Sequence, residues 1–180
     1  MARAAFFDLD KTILDTSSNV ALSGPFIEAG LMNRRTAIAS VLVQLPYLLS
    51  GADESRMEQM AEAMGRMGRG WNAAFLEATV EDALERTIEP VCYAQALRRI
   101  AYHKSVGDVV VIASASVEQV VRPIATMLGA DEVLASQAAI DEDGCFTGEM
   151  THFNQAQGKA DACAQLAHAR GWDLSQCSAY

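Results

Sequence analysis

Phe6-Phe7-Asp8-Leu9-Asp10-Lys11-Thr12-Ile13-Leu14 decides how the rest of this 180-residue sequence is read. The lead-in from Ala4 to Phe7 is apolar, as expected of a short buried strand. Two carboxylates follow at once, two residues apart. Positions i and i+2 of an extended segment share a side, so Asp8 and Asp10 can face a common centre. Thr12 is placed to satisfy backbone groups in the loop after the strand. A D-x-D pair ending a strand is also common as a solvated turn, so the stretch has to be weighed with the rest of the chain.

The composition is 51% hydrophobic and 21% charged, which describes a globular protein with one domain-sized core and room for a small appended module. The formal net charge of −9 argues against a nucleic-acid partner. It also means that an anionic substrate has to be drawn in by a local cation or a metal. Cys92, Cys145, Cys163 and Cys177 are scattered, without a C-x-x-C pair, which suits free thiols in a reducing cytoplasm. The first residues pass straight into a strand, so no secretory signal is expected. The longest apolar run, Ala37 to Leu49, is broken by Ser40, Gln44 and Pro46 and is too short to span a bilayer. Arg34 and Arg35 just before it leave a membrane-surface role as an alternative.

Between residues 15 and 88 the pattern is helical throughout. Ser17 or Ser18 can cap a helix running toward Gly30. A second is expected from Arg34 to Ser50, bent at Pro46. A third, capped by Asp53, carries Met57, Met60, Ala61, Met64 and Met67 on one face, with Gly65, Gly68 and Gly70 loosening its end. A fourth, about Asn72 to Arg86, is expected to bury Phe75, Leu76, Thr79, Val80 and Ala83. The methionine stripe reads as packing, of a kind that adapts to shifting neighbours.

After Pro90 opens a helix toward Val106, Val109 to Ala113 is a continuous apolar run, the mark of a parallel strand covered on both faces. Val117, Val120, Val121, Ile124, Met127 and Leu128 outline an amphipathic helix ending at Gly129. A strand near Val133 follows. Asp141-Glu142-Asp143-Gly144 reads as a hairpin turn, without the spacing of a calcium loop. Lys159 to Arg170 is the next helix, and Cys177 to Tyr180 starts another strand. The alternation implies an α/β fold, a doubly wound, Rossmann-like parallel sheet. Residues 1–14 and 89–180 form the core, and 15–88 an inserted α-helical cap.

Ligands of such sheets sit off the carboxyl ends of the strands. Asp8 and Asp10 lie at one such end, and Ser114 at another. Ser116 is placed to cap the following helix, whose first amides could hold an anion. Lys159, after Gly158, lies at the start of a later helix. In this order and placement, Asp8-Leu9-Asp10-Lys11-Thr12-Ile13-Leu14, Ile112-Ala113-Ser114 and Gly158-Lys159-Ala160 resemble the first three motifs of the haloacid dehalogenase superfamily. The helical insert is similar to the small cap of its phosphoserine-phosphatase-like subclass. The likeness extends over essentially the whole chain.

The resemblance implies a Mg²⁺-dependent phosphatase acting on a small phosphomonoester through an aspartyl-phosphate. In that scheme Asp8 is the nucleophile, a carboxylate being ionised at neutral pH without help. Asp10 is the general acid and then the general base. Asp8 and Asp10 hold the metal, and Thr12, Ser114, Ala115 and Lys159 receive the phosphate. Two departures accompany it. The family's fourth motif, an acidic loop after the fourth strand, is absent, since no acidic residue follows Tyr180. A fragment lacking that loop is therefore expected, with weak Mg²⁺ affinity and little turnover. Where phosphoserine phosphatases carry a glutamate soon after the first motif, this chain has Ser17, with Glu28 farther along. Arg34, Arg35, Arg66 and Arg69 are candidates for a second anionic group, though each also reads as surface charge. His103, His152 and His168 are too dispersed for zinc. The alternative functions are a non-catalytic binding or regulatory module of the same fold, and a lipid-phosphate phosphatase at the membrane surface.

Overall fold

The computed structural model describes residues 3–35, 54–154 and 157–180. Strand β1 (Ala4–Asp8) opens it, followed by two short helices, α1 (Ser18–Ala21) and α2 (Ser23–Glu28). Helices α3 (Glu54–Gly68) and α4 (Ala73–Ala83) come next, α4 running on through a π-turn at Leu84–Ile88. Then follow α5 (Ala94–Ser105), β2 (Val109–Val117), α6 (Glu118–Met127), β3 (Glu132–Ile140), β4 (Phe146–His152), α7 (Gln157–Arg170) and β5 (Ser178–Ala179). Of the expected helix from Arg34 to Ser50, everything past Arg35 lies outside the described residues, as does Asp53.

The sheet order is β4-β3-β2-β1-β5. β1 pairs in parallel with β2 and β5, and β2 with β3, while β4 is an antiparallel edge folded back from β3. The fold class read from the sequence is the one observed. Side chains alternate across the sheet, as strand geometry requires. Ala5, Phe7, Val110 and Ile112 join one cluster with α4, α5 and α6. Ala4, Phe6 and Val111 face the other way, onto Ala167 of α7 and the flanking Leu166 and Trp172. Each large side chain so buried contributes about 1.5–3 kcal/mol.

Several local expectations change. α4 buries Ala73, Leu76, Val80 and Ala83, at spacings of three, four and three, and leaves Phe75 50% exposed. Phase decides which face is covered, and Phe75 lies off it despite its size. Gly65 does not loosen α3. A Cβ there would stand 2.2 Å from the Gly148 carbonyl oxygen, so this glycine lets the helix rest directly on β4. Arg69 reinforces the contact, its Nε donating to the Thr147 carbonyl at 2.8 Å. The hairpin turn forms where expected, with the Asp141 carboxylate accepting from the amides of Asp143 and Cys145.

Candidate active site

β1 is the second strand from its edge, so the end of β1 emerges between β2 and β5. Its register places Asp8 opposite Ala113, and the Asp8 amide donates to the Tyr180 carbonyl at 3.0 Å. The backbone carrying Asp8 is thus fixed on both sides. Beyond it the chain turns tightly: the amides of Thr12, Ile13 and Leu14 all donate to the Leu9 carbonyl. Leu9, Ile13 and Leu14 are fully buried, pinning the loop to the core. Lys11 takes the left-handed conformation, φ 61°, the one non-glycine residue among those described to do so. Such strain persists only where surrounding contacts impose it. The Thr12 hydroxyl makes no hydrogen bond among the described residues; the loop is closed by its own backbone.

Lys159 arrives from the far side of the sequence. Its Nζ donates to Asp8 Oδ1 at 2.7 Å, with both side chains only partly exposed. The backbone at Gly158 packs closely here: a Cβ would stand 3.2 Å from the Phe153 carbonyl oxygen. Asp10 sits deeper. Its Oδ1 accepts the Ser18 amide at 2.7 Å. Burial pushes its carboxyl above the ordinary value of 3.8, with a smaller push from the Asp8 charge, against the pull of the Ser18 hydrogen bonds and Lys159. Asp8, Asp10 and Lys159 therefore form one electrostatic group, joined from positions more than a hundred residues apart.

Ser114 lies one residue past the partner of Asp8. There β2 bulges: Ala113 pairs with Leu134, but Val117 already pairs with Ser136. Four residues of one strand run against two of the other, and bulges of this kind re-aim backbone beside active sites. Side chains hold this one. The Ser136 hydroxyl donates to the Ala115 carbonyl at 2.7 Å. Asn154, buried, donates through Nδ2 to the carbonyls of Ser114 and Leu134. Its own amide donates to Ser136 Oγ. Ser116 does not cap α6, contrary to expectation. Its amide donates to Ser114 Oγ, and its hydroxyl bonds that of Ser18 at 3.0 Å. The cap position belongs to Val117, which supplies no side-chain bond. Ser18 and Ser116 were read only as helix caps, and Ser136 and Asn154 were missed as contributors to the site. The partners of the latter two are set by sheet register, not by their local sequence.

The remaining candidates lie elsewhere or are otherwise engaged. Ser17 caps α1, accepting the Val20 amide. Glu28 approaches Arg86 at 3.9 Å, and Arg66 pairs with Glu62 one helical turn away. Arg34 and Arg35 are exposed. Among the described residues no three His, Cys, Asp or Glu side chains gather as a metal-binding group, and no helix is long and apolar enough to cross a membrane.

Residues 5–180 match the haloacid dehalogenase-like hydrolase family. The chain belongs to that family. It is 41% identical over 177 residues to the inhibition of morphological differentiation protein of Streptomyces azureus, covering 98% of this chain and 64% of the relative. It is 43% identical over 177 residues to a probable phosphatase of Mycobacterium tuberculosis, covering 98% of this chain and 61% of that protein. The chain thus spans under two thirds of the length of these curated relatives. Among solved structures, a phospho-aspartyl intermediate analogue of phosphoserine phosphatase superposes with a TM-score of 0.67 at 19% identity, over 99% of this chain and 77% of the other. That likeness is one of fold, and family members share the α/β architecture described above.

Proposed function

We propose that this chain is the catalytic part of a Mg²⁺-dependent phosphomonoesterase working through an aspartyl-phosphate. The observation that carries the reading is the 2.7 Å contact between Lys159 Nζ and Asp8 Oδ1, beside Asp10 at the carboxyl end of the sheet. Asp8 is the nucleophile: its carboxylate oxygen bonds to phosphorus as the bond from phosphorus to the alcohol oxygen breaks. Asp10 gives its proton to the departing alkoxide, a role suited to a carboxyl that burial holds above its ordinary value. It then takes a proton from the water that cleaves the acyl-phosphate and releases inorganic phosphate. Lys159 offsets negative charge on Asp8 and the phosphoryl oxygens. Ser114, with the backbone of the bulge at Ala115 and the loop residue Thr12, receives those oxygens.

The residues present suit Mg²⁺, which prefers hard oxygen donors and keeps several waters. Asp8, whose Oδ1 takes the lysine, and the main-chain carbonyl of Asp10 would hold it. The ion would supply charge stabilisation for in-line transfer. We read the described helices between residues 15 and 88 as belonging to a cap for this site, and four free cysteines support a cytoplasmic location. The substrate is a small phosphomonoester, as for the phosphoserine phosphatases of the same fold.

The test is phosphate release from a panel of phosphomonoesters by the full-length protein encoded by the gene, with Mg²⁺ and with EDTA. Release that depends on Mg²⁺ and falls at least about a thousandfold in Asp8→Asn is expected. No release from any compound would favour a non-catalytic binding module. Equal rates in Asp8→Asn would overturn the nucleophile assignment.

A further inference from the structure

Asn154 is fully buried, yet its Oδ1 has no hydrogen-bond partner among the described residues. An orphaned buried oxygen costs stability, so a side chain placed for packing alone would be apolar. The other end of the amide is fully committed. Nδ2 donates to the Ser114 carbonyl at 3.0 Å and to the Leu134 carbonyl at 2.8 Å. Both partners are acceptors, so the side-chain amide cannot be turned round. The backbone amide of Asn154 donates to Ser136 Oγ at 2.9 Å, and the Ser136 hydroxyl donates in turn to the Ala115 carbonyl at 2.7 Å. One residue thus governs two successive carbonyls of β2.

The direction of those carbonyls matters. β2 lies between β3 and β1, and successive carbonyls of a regular strand alternate between its neighbours. Here they do not. Ser114 and Ala115 both turn theirs to β3, the strand of Leu134 and Ser136. The N–H of a trans peptide points opposite to its C=O. The amides of Ala115 and Ser116 therefore both turn to the β1 side, where Asp8 pairs opposite Ala113. Adjacent amides facing one way form a recess suited to an anion. The Ser116 amide meets Ser114 Oγ at 3.1 Å, and that hydroxyl, accepting there, keeps its own proton to donate. The same connection between β4 and α7 leads on to Lys159, which reaches Asp8.

We infer that Asn154 is a positioning residue for phosphoryl binding: with Ser136 it aims the Ala115 and Ser116 amides and the Ser114 hydroxyl at the phosphoryl oxygens. This rests on the phosphatase reading above for the identity of the anion, but not for the direction of the amides. The experiment has a binding arm and a turnover arm, both on the full-length protein. In the first, inorganic phosphate is titrated into ¹⁵N-labelled protein with Mg²⁺ present. The Ala115 and Ser116 amide signals are expected to move in the parent, and Kd to rise roughly 10–100-fold in Asn154→Ala, as for the loss of one charge-assisted hydrogen bond. Ser136→Ala should raise it in the same direction, and serves alone if the first variant does not fold. Asp108→Asn, which takes a charged acceptor from His103 near the start of β2, is the control for stability loss as such and should stay within about twofold of the parent. In the second arm, kcat and KM are measured on a phosphomonoester that the parent hydrolyses. Asn154→Ala is expected to lower kcat/KM by about a hundredfold, with kcat itself reduced. An unchanged Kd in a folded Asn154→Ala or Ser136→Ala, or parent signals at Ala115 and Ser116 that ignore phosphate, would overturn the inference; turnover by the parent would then still uphold the phosphatase reading. A parent without turnover, but with the Kd effect present, would do the reverse.

Discussion

The two ends of the sheet carry aspartates in opposite conditions. Just before β2, Asp108 accepts from His103 Nδ1 at 2.8 Å and from Arg3 Nε at 3.0 Å. The other His103 nitrogen, Nε2, is 3.0 Å from the Tyr180 hydroxyl, and that ring stacks on Phe7. Burial by itself would raise the Asp108 carboxyl. The hydrogen bonds from His103 and Arg3, with the arginine's charge, outweigh it and hold the group below its ordinary value. At the far end, Asp10 is buried with less compensation and is held above that value. A carboxylate with matched donors stabilises the fold. One left partly unmatched is available to exchange a proton. On the function proposed above, one end of the sheet holds structure together and the other carries the carboxyl that exchanges a proton.

The comparison can be broken at either end. The largest effect is expected from Lys159→Ala, which leaves Asp8 without its cation. Turnover by the full-length protein should fall by roughly 10²–10³-fold, followed as phosphate release. Next is Gly65→Ala, where the new methyl meets the Gly148 carbonyl. A cost of about 1–3 kcal/mol is expected, read as a drop in Tm. Asp108→Asn should cost about 1–2 kcal/mol at neutral pH, because His103 loses a charged acceptor. Its pH dependence follows from sign. The folded value is depressed, so the contribution is complete above the ordinary 3.8 and is lost as pH falls through the folded value. Acid unfolding curves of parent and variant should therefore converge at low pH. The smallest effect on stability is expected from Asp10→Asn. Here the folded value is raised, so the charged form is the disfavoured one, and stability declines as pH climbs from 3.8 through the raised value. The amide removes that penalty and can still accept from Ser18, so Tm at neutral pH should rise by about 1–2 °C while activity is lost.

Much of this was legible in the residues alone. Apolar runs at Ala4–Phe7 and Val109–Ala113, each ending in a polar residue, announced a parallel sheet with its site at the carboxyl end. The distant Lys159 was singled out by the resemblance of Gly158-Lys159-Ala160 to a family motif, and its Nζ lies 2.7 Å from Asp8 Oδ1. What escaped is set by register rather than by local pattern. The bulge after Ala113 depends on Ser136 and Asn154, and nothing near either residue marks it as a partner of β2. Ser116 looked like a helix cap because β2 was expected to stop at Ala113, whereas it continues to Val117. Gly65 read as a helix weakener because the strand against which it rests is more than eighty residues away.

The pairing of β5 with β1 has a bearing on handling the molecule. Two residues, Ser178 and Ala179, and the Tyr180 backbone shield the outer rim of β1. Trimming the polypeptide ahead of Ser178 would bare a hydrophobic strand bearing Phe6 and Phe7, with open amides and carbonyls along it. Such a rim recruits strands from other copies, and the shortened protein should clump and precipitate.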